Sequence, residues 1–169
     1  MVATLAVNIA SYAQIESPLG PLLLAADDAG LRFIEFVNGR RNAFPDSTWR
    51  EDPTALKEPI QQLSAYFRGE LETFDLPLAP GGTPFQLAVW RRLCEIPYGE
   101  TISYGELARR LGNPNASRAV GLANGANPIP IVIPCHRVIG SNGKLTGYGG
   151  GLPIKEKLLA LERRQLRLL

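Results

Sequence analysis

The chain has 169 residues, 45% apolar and 20% charged, which suits one domain with a full core or two small lobes sharing an interface. No apolar run approaches the roughly 20 residues of a membrane-spanning helix, and 2 Cys with 1 His are too few for a disulfide scaffold or a four-ligand zinc site. The net charge of +2 hides an asymmetry: residues 1–85 carry 6 Lys/Arg against 11 Asp/Glu (net −5), and residues 86–169 carry 12 against 5 (net +7), so the second half suits a polyanionic partner.

Met1 to Ala10 lacks the positive flank of a secretory signal, so the expectation is a soluble intracellular, cytoplasmic protein. Tyr12–Glu16, Leu22–Ala26 and Leu31–Val37 read as three strands of a meander, with Asp27-Asp28-Ala29-Gly30 as a turn. Residues 38–53 are polar and turn-rich. Leu56, Ile60, Leu63 and Phe67 recur at helical spacing, started near Pro53-Thr54 and stopped at Gly69. Residues 70–84 read as an extended connection, with a boundary near Gly82 dividing lobes 1–81 and 82–169.

In the second lobe, Thr83-Pro84 opens a helix whose apolar face is Phe85, Val89, Leu93 and Ile96. Pro97-Tyr98-Gly99 ends it. Ser103 and Glu106 are spaced as a capping box for a helix reaching Leu111. Gly112 to Asn115 is a tight connection, and Ala116–Ala123 is a second short helix rich in small residues. The pair matches a helix-turn-helix, with a plain helical hairpin as the alternative. Gly125 to Pro128 breaks the chain. Ile129 to Pro134 reads as a buried extended segment delivering Cys135. Val138–Gly147 reads as a hairpin turning at Ser141-Asn142-Gly143. Gly147 to Gly151 is a loop, and Pro153 opens a last helix containing Ile154, Leu158, Leu161 and Glu162. The fold class expected is mixed α/β: a small sheet-plus-helix lobe, then a mainly helical lobe.

Chemistry concentrates at Ile133-Pro134-Cys135-His136-Arg137. A thiol attacks as the thiolate, and its ordinary pKa is about 8.5, so it needs a base. The one His sits beside one of the two Cys. Neighbours in an extended chain point opposite ways, so contact between them needs a turn at Cys135 or a bridging water. A carboxylate orienting the imidazole completes such a relay. Glu162 is the candidate, though spacing alone does not choose it. Cys94 reads as structural.

The run Pro134-Cys135-His136-Arg137-Val138-Ile139-Gly140 resembles the active-site signature of the O6-alkylguanine-DNA alkyltransferases, or methylated-DNA-protein-cysteine methyltransferases. Gly82-Thr83-Pro84-Phe85-Gln86, Val89-Trp90, Ile96-Pro97-Tyr98-Gly99, Ser103-Tyr104, Arg118-Ala119-Val120-Gly121, Asn127-Pro128, Gly147-Tyr148, Gly150-Gly151-Leu152, Lys155-Glu156 and Leu158-Leu159-Ala160-Leu161-Glu162 follow the family's order. The resemblance covers residues 82–162; residues 1–81 match a ribonuclease H-like lobe only in general character.

The resemblance implies suicidal, single-turnover DNA repair. The alkyl group of O6-alkylguanine in duplex DNA, and less well that of O4-alkylthymine, passes to Cys135 after the nucleotide flips out. It implies that His136 accepts the thiol proton through a water, Glu162 holds His136, and Asn127 braces them. Tyr104 donates to a ring nitrogen. The backbone of Cys135 and Val138 reads the exocyclic amine, Tyr148 walls the pocket, and Gly149 and Gly150 present amides to the base. Arg118 fills the gap left by the flipped base, while Ser117, Ala119 and Gly121 let the helix enter a minor groove. No metal or cofactor is implied, since residues 1–85 hold neither Cys nor His. The partner implied is double-stranded DNA, bound by a monomer, with cooperativity on DNA left open, and no membrane. Two other classes stay open: a non-catalytic lesion-binding protein and a cysteine hydrolase with turnover.

Overall fold

The computed structural model describes residues 11–39, 45 and 47–164. The expectation about a secretory signal rests on residues 1–10, which lie outside that set. Strands β1 (Ser11–Ile15), β2 (Leu22–Asp27) and β3 (Gly30–Phe36) form the antiparallel meander. Leu22, Leu23, Leu24 and Ala25 are buried, as a continuous apolar run in a central strand should be. The β2–β3 turn is Asp28-Ala29, with the Ala29 amide donating to Asp27 Oδ1 at 2.8 Å. Gly30 has φ +139°, and a Cβ there would lie 2.4 Å from the Pro77 carbonyl oxygen, so the position requires glycine.

A fourth strand, β4 (Arg50–Glu51), pairs in parallel with β1 and completes the order β3-β2-β1-β4. It lies where only turns were expected. Two exposed charged residues carry neither alternation nor apolar character, so the sequence holds no signal for it. Helix α1 (Lys57–Phe67) starts later than the Pro53-Thr54 signal, because residues 53–56 first form turns. It stops where expected. Gly69 takes φ +74°, and the Gly69 and Glu70 amides return to the Tyr66 and Ala65 carbonyls. The Pro-rich stretch that follows is tied to the sheet, with Leu78 bridging Leu31.

Helix α2 (Pro84–Leu93) carries a full capping box between Thr83 and Gln86. Its buried face is Val89, Trp90 and Leu93. Phe85, expected inside, is 40% exposed. The Trp90 indole N–H donates to the Ala123 carbonyl at 2.9 Å, so Trp90 takes the inner role and satisfies its one donor. Helices α3 (Tyr104–Arg110) and α4 (Ser117–Gly125) pack together across residues 111–116, a longer turn than expected. Ser103 caps α3 through the Glu106 amide, but the Glu106 carboxylate turns outward to Arg109 and Arg110, leaving the box half closed.

Two other readings are corrected. Residues 129–134 do not run extended: the Ile133 amide returns to the Ile129 carbonyl at 2.9 Å and Ile131 takes φ +75°. Three prolines from 128 to 134 remove ladder donors, while burial of Ile129, Ile131 and Ile133 folds the segment inward as a coil. Nor does Val138–Gly147 form a hairpin. Strand β6 (Val138–Ile139) pairs in parallel with β5 (Ile102–Ser103), and the chain then turns tightly, Gly143 N to Gly140 O and Gly140 N to Lys144 O. Val138 is fully buried, and the exposed polar residues 141–144 have no apolar face with which to pair it. Helix α5 (Leu152–Glu162) closes the chain. One continuous apolar core runs from Leu22 and Leu63 through Leu93 and Val138 to Leu158, so the two halves of this mixed α/β fold share an interior.

Candidate active site

Cys135–Arg137 form a single 3-10 turn. Successive side chains in such a turn point about 120° apart. That spacing turns Cys135 away from His136 and Arg137, which both reach Glu162. Cys135 reaches the wall of a cavity of about 410 Å³, while His136 and Arg137 point inward to the end of α5.

There Glu162 collects several donors. The His136 Nε2 lies 2.7 Å from Oε1, Arg137 Nη2 donates to Oε1 at 2.8 Å and Arg137 Nε to Oε2 at 2.9 Å. The Tyr66 hydroxyl, from α1, donates to the same Oε1 at 2.8 Å. Arg137 Nη1 also donates to the Ile96 carbonyl at 2.7 Å. His136 is fully buried and Glu162 is 3% exposed. Burial alone would raise the Glu162 carboxyl, but hydrogen bonds and charge from His136 and Arg137 outweigh it and hold the carboxyl well below the usual range. Glu162 is therefore an anion, and Nε2 carries the proton that it accepts. Burial pulls the His136 pKa down against the pull of Glu162, so the ring is neutral and Nδ1 is its basic nitrogen. Nδ1 is buried and has no protein partner among the described residues.

Burial pushes the Cys135 thiol up to about 11, although an Asn127 hydrogen bond, the Lys155 charge and nearby backbone amides pull it down. The resting group is thus a thiol, and attack requires a proton acceptor. Asn127 is fixed by its Nδ2 on the Ile133 carbonyl (2.8 Å) and its Oδ1 on the Ile129 amide (3.0 Å). Lys155, fully buried, donates to the Val138 and Thr146 carbonyls at 2.7 and 2.8 Å, pinning the loop after β6 to α5.

Of the residues singled out from sequence, Cys135, Tyr104, Asn127, Gly121, Tyr148, Gly149 and Gly150 line the cavity. His136 and Glu162 stand behind Cys135. Val138 is not on the cavity wall, and its carbonyl receives Lys155. The Tyr104 hydroxyl accepts from Thr146 Oγ1 at 3.1 Å, which leaves its own proton to donate. The Tyr148 hydroxyl is buried without a partner among the described residues, and its ring meets Phe36 edge-on at 6.0 Å. Ser117, Arg118 and Ala119 are exposed on the first turn of α4, away from the cavity wall.

Sequence reasoning gave no role to several participants. Tyr66 and Arg137 hold Glu162, and Lys155 holds the loop after β6. Asn124 touches the Cys135 carbonyl, and Ile34 and Phe36 bring β3 to the cavity. Tyr66 looks like any core aromatic beside Phe67, and only the folded chain brings it to Glu162. Among the described residues, no group of three or more His, Cys, Asp or Glu is placed to hold a metal ion. No helix among them is long and apolar enough to cross a membrane.

Comparison with known proteins gives concordant results. Residues 84–164 match the model of the 6-O-methylguanine DNA methyltransferase DNA-binding domain, and residues 10–80 that of its ribonuclease-like domain. The chain is 58% identical over 151 residues to the methylated-DNA-protein-cysteine methyltransferase of Methanosarcina acetivorans, covering 89% of this chain and 97% of that one. It is 56% identical to the same enzyme of Mycolicibacterium paratuberculosis, covering 90% and 92%. Its fold is similar to that of Mycobacterium tuberculosis OGT in complex with DNA, with a TM-score of 0.85, 51% identity, and coverage of 92% of this chain and 94% of that one.

Proposed function

We propose a single-use alkyl transfer from O6-alkylguanine to Cys135 for this chain, which belongs to the 6-O-methylguanine DNA methyltransferase family of DNA-repair enzymes. The observation that carries the assignment of roles is the placement of Cys135 on the cavity wall with the buried His136–Glu162 pair directly behind it. The Cys135 sulfur attacks the alkyl carbon opposite O6. The S–C bond forms as the C–O6 bond breaks, and the bonding pair leaves with the purine. The thiol proton passes through a water to His136 Nδ1, and the Glu162 anion stabilises the imidazolium. Asn127 and Lys155 support the sulfur as negative charge develops on it. Tyr104 donates to a ring nitrogen and so eases departure of the base.

The base reaches this depth only by leaving the helix stack, so the nucleotide flips. Arg118, exposed on α4, fills the gap it leaves. Ser117, Ala119 and Gly121 allow that helix close to the minor-groove backbone. Backbone groups of Cys135, Val138, Gly149 and Gly150 read the base edge, and Tyr148 bounds the alkyl group. O4-alkylthymine reacts more slowly. Residues 82–169 carry DNA contact and chemistry, and residues 1–81 support them.

Mass spectrometry after incubation with duplex DNA holding one O6-methylguanine tests the reading. One stable methyl per chain on Cys135, absent in Cys135→Ala, is expected. Catalytic turnover points to a hydrolase, and binding without transfer points to a lesion-recognition protein. Arg118→Ala should slow reaction with duplex DNA far more than with free O6-benzylguanine; equal losses overturn the gap-filling role.

A further inference from the structure

Among the described residues, the first lobe hydrogen-bonds to the His136–Glu162 pair through one hydroxyl. Tyr66 is fully buried on α1, 96 residues before Glu162, and donates to Glu162 Oε1 at 2.8 Å. That is the oxygen on which His136 Nε2 sits at 2.7 Å. The ring is fixed by Phe67, Phe74 and Tyr98, with centroids at 5.6, 5.3 and 6.3 Å. We propose that Tyr66 is a positioning residue of the alkyl-transfer site, a donor from the first lobe that shares Glu162 Oε1 with His136 and sets how basic the imidazole is. This rests on the functional reading above.

The physical argument is competition for one oxygen. A carboxylate oxygen that already accepts from a phenol and a guanidinium is less negative toward a third donor. The Tyr66 hydroxyl therefore weakens the pull of Glu162 on the imidazolium and keeps His136 neutral. Burial and the neighbouring Glu162 charge push the phenol well above its ordinary range, so it stays a donor throughout the working pH. Among the described residues, the other charged or titratable groups facing the pair are Arg137 from the 3-10 turn, Lys155 from α5, Cys135 and Tyr148 on the cavity side, and Tyr98 from the loop after α2. All of these remain in place when only the Tyr66 oxygen is removed. Arg137 keeps Glu162 oriented bidentately, so the expected effect is electrostatic and not a collapse of the site.

His136 is the single histidine of the chain, so its ring protons give an unambiguous NMR titration. Tyr66→Phe should raise its midpoint by on the order of half a unit. The acid limb of the pH profile for Cys135 alkylation by free O6-benzylguanine should move up by the same amount. Tyr98→Phe removes a hydroxyl from the same aromatic cluster, one that among the described residues reaches only the Leu161 carbonyl at 3.5 Å, and should leave the midpoint unchanged. Site-specific incorporation of 3-fluorotyrosine at position 66 strengthens that phenol as a donor and should lower the midpoint, which keeps a test available if Tyr66→Phe folds poorly. An unchanged midpoint in Tyr66→Phe, or a rise with fluorotyrosine, overturns the inference. If the wild-type chain fails to take up an alkyl group, the functional reading falls, while the histidine midpoint still decides the role of Tyr66.

Discussion

Glu162→Gln exchanges one carboxylate oxygen for an amide at nearly constant volume. It removes the charge that Arg137, itself 6% exposed, has as its counter-ion. Oε1 receives Tyr66, His136 and Arg137, and Oε2 receives Arg137, so the glutamine NH2 must face at least one donor in either orientation. Removing one partner of a buried pair costs about 3–5 kcal/mol. For a chain of this size, about 2–4 °C of Tm is lost per kcal/mol, so melting should fall by roughly 6–20 °C. His136 also loses the acceptor that fixes its tautomer, and single-turnover reaction with O6-benzylguanine should slow by about 10²–10⁴-fold, the usual worth of a positioned base. Calorimetry and the single-turnover rate, taken well below the variant's melting point, read the two effects separately. Wild-type melting refutes the buried-pair argument, and a wild-type rate in folded Glu162→Gln refutes the relay.

Acid stability follows from the same pair. The folded His136 pKa is depressed from 6.5, so the unfolded chain binds the extra proton first and stability declines as pH drops below 6.5. The folded Glu162 value is also depressed, from 4.5 to about 2, and adds stability above 4.5 that is lost as pH falls toward 2. Denaturant midpoints measured from pH 8 to 3 should therefore fall in two stages, and His136→Gln should erase the upper one. Lys155→Met keeps the buried stem but orphans the Val138 and Thr146 carbonyls; it should cost about 1–3 kcal/mol and speed amide exchange in residues 140–151, and unchanged exchange would show that the clamp holds nothing. Gly30→Ala places a methyl against the Pro77 carbonyl at φ +139°, and urea unfolding should show a loss of about 1–3 kcal/mol.

Much of the fold is legible in the chain because the signals are local. Thr83-Pro84 and Gln86 state a helix start, Gly69 a stop, and the short apolar runs with their turn signal from Tyr12 to Val37 a meander, each readable within a few residues. The readings that failed depended on distant partners. β4 exists because β1 offers it an edge, and β6 pairs with β5 rather than with its own continuation. Ile129–Ile133 coils because burial outweighs the extended preference its prolines suggest.

The sequence alone placed Cys135 beside the one histidine, in a run that marks the chemistry, and its order of motifs indicated the family. Those facts are local or patterned, so no folding is needed to see them. Only the tertiary structure decided how the thiol is controlled. The 3-10 turn separates Cys135 from His136, burial keeps the thiol protonated and the imidazole neutral, and the end of α5 brings Glu162, the acid that the motif order pointed to, within 2.7 Å of the ring. Tyr66 and Arg137 join it from other parts of the chain. Spacing cannot encode that convergence, because the desolvation and shared lone pairs that set the proton affinities arise only when the two halves close on one core.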